Sequence, residues 1–187
     1  MRDDFKNVYI TPNMGDGGLV LGGIYLSVSN KLKKKYFNKV AENIFYGTKL
    51  NKIGQKEILF SYQKKALNLK QSSKIAADSL VKKKIIGIIN SRMEFGPRAL
   101  GNRSILANPL QKNITKILNN KLQRSDFMPF APIIRDVDAK KILENFKTDD
   151  FSSRFMVMTY FVKKKYQKLL KNIIHIDNTV RAQIIDK

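Results

Sequence analysis

Hydrophobic and polar positions change their spacing along the chain, and the changes predict a mixture of helices and strands. Ile85-Ile86-Gly87-Ile88-Ile89 is a β-branched apolar run, which is typical of a buried strand. Ile114, Ile117, Leu118 and Leu122 share one helical face and predict an amphipathic helix. The other predicted elements are a strand at 5–10, a helix at 19–29, a helix at 74–83 capped by Ser72 or Ser73, a helix capped by Asp138, and strands at 155–162, 173–176 and 180–185. This mixture favours an α/β or α+β fold.

Two segments between these elements predict irregular backbone. The stretch 13–18 is too rich in glycine for a regular element, and 127–132 has two prolines three positions apart, which predicts a rigid extended segment. Residues 30–60 are polar and rich in lysine, so we place a domain boundary there. The predicted domains are 1–45 and 46–187.

Composition removes several classes of function. Without cysteine the chain has no disulfide framework and no thiolate nucleophile. No apolar run approaches the roughly 20 residues that a membrane span needs, and we expect no membrane partner and a cytoplasmic location.

The net charge of +21 has two explanations, a composition biased toward lysine or a polyanionic partner. The basic runs at 33–35, 82–84 and 163–165 are short, separated and not interleaved with stacking aromatic residues. We therefore do not expect nucleic acid to be the partner, and a basic RNA- or nucleotide-binding module remains the alternative.

Three of the eight arginines lie within residues 91–104, namely Arg92, Arg98 and Arg103. Arginine binds phosphate and carboxylate through a planar fork of donors. The segment follows the predicted strand at 85–89, and ligands of α/β sheets collect at the carboxyl ends of strands. Pro97 and Gly101 predict a one-turn helix between them with free N–H groups. We expect an oxyanion-binding loop.

Several other polar residues are candidates for the same chemistry. Asn102 and Ser104 can donate neutral hydrogen bonds, and Glu94 can orient an arginine or bind a substrate amine. Asp16, between glycines, can ligate a divalent metal. His175 is the single histidine and lies in an apolar stretch, so we expect a structural role for it.

The segment SRMEFGPRALGNRSILA at 91–107 closely resembles the signature of the O-carbamoyltransferase family of nodulation-factor and antibiotic biosynthesis. FMPFAP at 127–132, IDNTVRAQ at 176–183 and PNMGDGGLVLGG at 12–23 resemble further family segments in the same order. The resemblance covers essentially the whole chain.

The resemblance implies that 46–187 has a YrdC-like fold, a mixed twisted sheet with flanking helices. Residues 1–45 would be the last strand, loop and helix of an actin-like ATPase-fold domain. The YrdC-like domain would form carbamoyl-adenylate from carbamoyl phosphate and ATP. The N-terminal domain, with a divalent metal (Fe or Mg), would then transfer the carbamoyl group to a hydroxyl-bearing acceptor such as a sugar or natural product.

The resemblance also implies roles for individual residues. The expected catalytic residues are Arg98, Arg103 and Glu94. The expected substrate- and ATP-binding residues are Arg92, Asn102, Ser104, Arg124 and Arg181, and the expected metal ligand is Asp16.

The chain departs from the family pattern in four places. Ser91 and Asn178 replace glycines, and the sequence at 123–126 weakens the assignment of Arg124. The family's H-x-x-x-H metal ligands have no counterpart. The sequence also stops before the family's usual final segment. We therefore expect a fragment that lacks most of the N-terminal domain and the end of the YrdC-like domain, or an inactive remnant.

Overall fold

Helices and strands both occur along the part of the chain that a computed structural model describes, which is residues 8–32, 43–49, 67–125, 129–148 and 150–186. The helices are α1 (Asp16–Leu32), α2 (Leu69–Val81), α3 (Ile114–Leu122), α4 (Asp136–Ile142) and α5 (Lys164–Gln167), with a 3-10 helix at Phe151–Phe155. The strands are β1 (Ile86–Ile89), β2 (Arg103–Leu106), β3 (Ile133–Arg135), β4 (Tyr160–Phe161), β5 (Thr179–Val180) and β6 (Gln183–Ile185). The predicted α+β composition is confirmed. None of the described helices is long and apolar enough to span a bilayer.

The strands pair in three short ladders. β1 and β2 are antiparallel, β3 and β6 are parallel, and β4 and β5 are antiparallel. Over the described ranges each ladder has two strands, so the continuous twisted sheet of the prediction is not seen there.

Two apolar clusters stabilise these ladders. The larger cluster joins α4 to the β3–β6 and β4–β5 ladders, and its buried members are Ile134, Ala139, Leu143, Val162, Val180, Ala182 and Ile184. The smaller cluster consists of Ile44, Leu100, Phe155 and Met156. Because Ile44 packs with Leu100, the segment 43–49 lies against the arginine-rich loop.

The predicted cap of α2 is wrong. Asn68 caps this helix, and its side chain accepts a hydrogen bond from the Gln71 backbone N–H at 2.9 Å. The Gln71 side chain accepts in return from the Asn68 backbone N–H at 3.1 Å. This reciprocal capping box satisfies two N–H groups at once, which a single serine hydroxyl does not. Ser72, one predicted cap, lies within the helix and donates to the Leu69 carbonyl.

Other boundaries also differ from the prediction. α1 begins at Asp16, inside the predicted loop, and α4 begins at Asp136, so Asp138 lies in the first turn and pairs with Arg135. The predicted strand at 155–162 is reduced to β4, because its first residue ends the 3-10 helix and Met156 has a left-handed φ of 55°. Residues 173–176 form turns rather than a strand.

Three predictions lie partly outside the described residues. They concern residues 5–7 of the first strand, Phe127 and Met128 of the extended segment, and most of the boundary region, 33–42 and 50–60. Residues 8–10, which are described, are not in a strand. The division into 1–45 and 46–187 stays a prediction.

Candidate oxyanion-binding site

The arginine-rich segment is the loop that joins β1 to β2. Ile89 lies opposite Arg103 in this antiparallel ladder, and the Asn90 N–H donates to the Asn102 carbonyl at 2.9 Å. The loop therefore leaves the carboxyl end of β1, as predicted, and returns directly beside it.

Glu94 lies at the centre of the loop and binds its backbone. One carboxylate oxygen, Oε1, accepts hydrogen bonds from the N–H groups of Leu100 at 2.7 Å, Asn102 at 2.9 Å and Arg103 at 3.2 Å. Burial raises the pKa of Glu94, but the backbone N–H groups together outweigh it, and the pKa lies below its ordinary value. Glu94 thus acts as an anion supplied by the chain itself.

This arrangement replaces the helix predicted at 97–100. The segment consists of bends and irregular backbone, and Gly101 has a φ of 105°. The predicted one-turn helix is therefore wrong. The N–H groups of residues 100–103 bind Glu94 or the Ser104 side chain. Glu94 forms no ion pair with any described arginine, so its predicted orienting contact is not seen.

The Arg103 side chain also binds the loop backbone. Nη1 donates to the carbonyls of Asn90 and Asn102, both at 2.7 Å, and Nη2 donates to the Ser91 carbonyl at 3.1 Å. Most of the guanidinium donors are therefore used within the loop, which leaves Arg103 poorly placed to grip a ligand as well.

Asn102 and Ser104 complete this framework. Asn102 is 7% exposed, and its Nδ2 donates to the Arg92 carbonyl at 2.7 Å. Ser104 Oγ accepts from the Gly101 N–H at 2.9 Å. Both side chains hold the backbone in place, and neither was predicted to do so.

Arg98 and Arg181 form a cationic pair from two distant parts of the chain. The pKa of Arg181 is lowered, first by burial and then by the positive charge of Arg98. The Arg181 Nε is buried without a hydrogen-bond partner. Gln183 fixes the two segments together, because its buried Nε2 donates to the Leu100 carbonyl at 3.1 Å. Gln183 lies two residues after Arg181 and was not among the predicted site residues.

Within the described ranges, neither arginine of the pair has a carboxylate partner. The ion pairs found there are Arg135–Asp138, Lys141–Asp138 and Arg154–Asp186. Two half-buried guanidiniums that repel each other are stabilised by any anion that binds between them. The Arg98–Arg181 pair is therefore the part of the loop region best suited to a phosphate.

The other two predicted arginines have separate contacts. Arg92 is exposed, and its Nη1 reaches the Gly47 carbonyl at 3.4 Å. Arg124 lies over the ring of Phe130, with its guanidinium carbon 4.8 Å from the ring centroid. This cation–π contact accounts for Arg124 without a ligand.

Asp16 does not have the companions that a metal site needs among the residues described. It is exposed in the first turn of α1, and no group of three or more His, Cys, Asp or Glu side chains that could hold a metal occurs in those ranges. One carboxylate alone does not hold a divalent cation, so the described residues do not by themselves form a metal site. His175 binds Thr179 Oγ1 through Nδ1 at 2.8 Å, which agrees with the structural role predicted for it.

The loop that carries Asp16 nevertheless touches the arginine-rich loop. Asn13 packs against Gly96, where a Cβ atom would lie 3.2 Å from the Asn13 Cγ. No sequence signal singled out Asn13, since the residue lies in a glycine-rich turn and its neighbour is 83 positions away.

The described residues also form two cavities, of about 350 and 390 Å³. The smaller cavity lies between α2, β2, α3 and residues 130–133, and its lining is largely apolar. No arginine lines it, and its polar Asn108 and Thr115 side chains bind backbone carbonyls. The charge of the Arg98–Arg181 pair therefore indicates an anion site that is separate from this cavity.

Comparison with known proteins agrees with the loop sequence. Residues 77–187 match the family model described as "Carbamoyltransferase C-terminus". The chain is 33% identical to an uncharacterized protein, MJ1051, of Methanocaldococcus jannaschii, over 97% of the chain and 34% of the relative. It is 31% identical to Nodulation protein NolO of Bradyrhizobium diazoefficiens, over 98% of the chain and 34% of the relative.

A relative with a named activity matches a shorter stretch. It is the 3'-hydroxymethylcephem-O-carbamoyltransferase of Amycolatopsis lactamdurans, which is 33% identical over 54% of the chain and 18% of its own length. The chain spans about a third of the length of the first two relatives.

Proposed function

The chain belongs to the family of the carbamoyltransferase C-terminal domain, and from this membership we propose that it carries the carbamoyl phosphate and ATP site of an O-carbamoyltransferase. The observation that carries the proposal is the Arg98–Arg181 pair, which combines two cations, partial burial and an unpartnered Nε. A dianionic phosphate supplies the charge and the acceptors that this pair lacks.

The geometry divides the predicted site residues into two groups. Formation of carbamoyl-adenylate consumes one water and releases phosphate from carbamoyl phosphate and pyrophosphate from ATP. Arg98 and Arg181 bind phosphate oxygens and stabilise the negative charge that develops on these leaving groups. Glu94 and Arg103 are positioning residues, because their hydrogen bonds go to the loop backbone and fix where Arg98 lies. Asn102 and Ser104 belong to this second group.

Arg92 is proposed as a peripheral phosphate contact, since it is exposed at the edge of the same loop. Arg124 is proposed to contribute least, because it already stacks on Phe130.

The finer fold assignment is part of the same proposal. A YrdC-like domain over 46–187, preceded by the end of an actin-like domain over 1–45, is consistent with a family match that begins at residue 77 and with relatives that align over nearly the whole chain. The contact between Asn13 and Gly96 would then lie between the two domains.

Transfer of the carbamoyl group to a hydroxyl is the second half of the proposed reaction. The relative from Amycolatopsis lactamdurans is named for O-carbamoylation of a hydroxymethyl group, which supports an alcohol as the acceptor class. Asp16 remains the proposed metal ligand of this half-reaction, with the further ligands outside the residues described.

A pyrophosphate exchange assay tests the proposed adenylate chemistry. We expect the chain to exchange labelled pyrophosphate into ATP only when carbamoyl phosphate is present, and we expect Arg98→Ala and Arg181→Ala to abolish the exchange. Arg135→Ala is the matched control, because it removes the same charge from an exposed arginine that pairs with Asp138.

Three results would distinguish the possibilities. Exchange in the wild type that both alanine variants retain would contradict the assigned site. No exchange, with ATP binding intact by calorimetry, would limit the proposal to binding. No exchange and no binding of either substrate would overturn it.

A further inference from the structure

The segment 180–184, which runs from β5 into β6, lies between the larger apolar cluster and the arginine-rich loop. Its alternate residues are buried in that cluster, namely Val180, Ala182 and Ile184. Because side chains alternate between the two faces of a strand, Arg181 and Gln183 share the opposite face. Gln183 forms a hydrogen bond to the loop, so this face is directed toward the loop.

Gln183 is held through both its backbone and its side chain. Its N–H donates to the Pro132 carbonyl at 2.9 Å, and its Nε2 donates to the Leu100 carbonyl at 3.1 Å. Gln183 is 8% exposed and Leu100 is 6% exposed. A hydrogen bond between buried groups is costly to remove, because the acceptor loses its donor and water does not replace it. Gln183 therefore holds β6 to the arginine-rich loop.

Leu100 is the point where the two parts of the site are joined. Its N–H donates to Glu94 Oε1 at 2.7 Å within the loop, and its carbonyl accepts from Gln183. Arg98 lies two residues before Leu100, and Arg181 lies two residues before Gln183. The bond between Leu100 and Gln183 is thus a short connection between the backbones that carry the two arginines. A shift at this bond changes the distance between the guanidiniums.

We infer that Gln183 is a positioning residue, whose bond to the Leu100 carbonyl sets the separation of the paired guanidiniums so that both bind one anion. The inference rests on the proposed function, because it assumes that the Arg98–Arg181 pair holds phosphate. Two like charges repel each other, so a restraint is needed to keep them close before the anion binds. The amide of Gln183 supplies this restraint without a negative charge that would compete with the phosphate.

Calorimetric titration of the 187-residue chain with inorganic phosphate tests this inference. Gln183→Leu removes the donor with little change in volume and should weaken phosphate binding about fivefold or more. In that background Arg181→Ala should cost at most about twofold, against about tenfold in the wild type, because residues that act through one another are not additive. Gln183→Met, which keeps an unbranched side chain, should behave in the same way.

Gln167 provides a matched control. Its half-buried Nε2 also donates to a backbone carbonyl, that of Val162 at 2.8 Å. Gln167→Leu should therefore destabilise the protein in urea, as Gln183→Leu does, but leave phosphate affinity within about twofold of the wild type. A measurement on the wild type needs no substituted protein to fold. Phosphate should shift the side-chain amide resonances of Gln183 in NMR spectra and leave those of Gln167 in place.

Four results would overturn the inference. They are wild-type phosphate affinity in both Gln183 variants, an equal cost of Arg181→Ala in both backgrounds, an equal loss of affinity in Gln167→Leu, and unmoved Gln183 resonances. Failure of the proposed function gives a different result. If the wild type binds no phosphate, or if Arg98→Ala and Arg181→Ala both leave its affinity unchanged, then the phosphate site itself is wrong and the inference falls with it.

Discussion

At the scale of single residues, two charged side chains of the arginine-rich loop bind the backbone of that loop. The loop contains arginines that suggest a ligand, yet its own Glu94 takes three of the backbone N–H groups. Arg103 takes three of the carbonyls. Hydrogen bonds to both the N–H groups and the carbonyls therefore fix the loop backbone before any ligand binds. This fixed backbone reduces the entropy cost of ordering Arg98 on binding.

Replacing Glu94 should destabilise the fold. Glu94→Ala leaves three N–H groups without their acceptor, and we expect a loss of about 1–3 kcal/mol in the free energy of unfolding. Glu94→Gln keeps an acceptor of the same shape and should lose less. Urea unfolding measures both, and Glu144→Ala, an exposed glutamate, should stay within about 0.5 kcal/mol of the wild type. Equal stability of all four proteins would show that Glu94 does not brace the loop.

The lowered pKa of Glu94 also predicts a dependence of stability on pH. Its ordinary value is 4.5 and its folded value lies lower, so its contribution is fully present above pH 4.5 and is lost as the pH falls through the folded pKa. Asp138 and Asp177 have lowered pKa values as well and add slope of the same sign. We expect Glu94→Gln to flatten the fall in stability between pH 4.5 and the acid range, and an unchanged slope would contradict this assignment.

At the scale of elements, α1 shows that glycines in one helix can have opposite roles. Gly18 is closed off by the Asn13 carbonyl, whereas a Cβ on Gly22 or Gly23 would meet nothing within 4 Å. The first glycine is needed for close packing, and the other two are ordinary helix-interior positions.

Two alanine substitutions in α1 should therefore change stability in opposite directions. Gly22→Ala should stabilise the protein by about 0.5–1 kcal/mol, because glycine costs that much in a helix interior. Gly18→Ala should destabilise it, since the methyl group and the Asn13 backbone oxygen cannot share the same space. Thermal unfolding by circular dichroism distinguishes them, and a shift of the same sign in both variants would refute the described packing of α1.

The elements that the sequence predicts correctly are those that depend on residues a few positions apart. Apolar spacing predicted the bounds of α3 and β1 almost to the residue, because both depend on patterns within a few positions. The predicted burial of β1 is wrong, since its residues are only partly buried or exposed and Ile89 is 61% exposed. The helix predicted at 97–100 is wrong, and the Leu100 N–H binds the Glu94 side chain six positions earlier in the same loop, a contact that the proline and glycine cues do not encode. Motif resemblance selected Arg98 and Arg181, but Asn13 and Gln183 became visible only when residues about 80 positions apart were brought together.

At the scale of the whole molecule, the charge of +21 and the arginine pair make different predictions. Diffuse positive charge attracts any polyanion, RNA included, and every exposed lysine or arginine contributes a little. A built site concentrates affinity in a few residues. Among the described residues, Arg98 and Arg181 take part in no ion pair, which favours a specific anion site over diffuse attraction by net charge.

The most direct test is the affinity of inorganic phosphate for matched charge-removal variants, measured by calorimetry at one ionic strength. Arg98→Ala and Arg181→Ala should each weaken binding by about tenfold or more, as loss of a charge-assisted hydrogen bond does. Their double variant should lose less than the product of the two effects, since both side chains bind one anion. Arg135→Ala should stay within about twofold of the wild type. Equal, small losses in all three single variants would show that net charge alone attracts the anion, and would contradict a carbamoyl phosphate site at the Arg98–Arg181 pair.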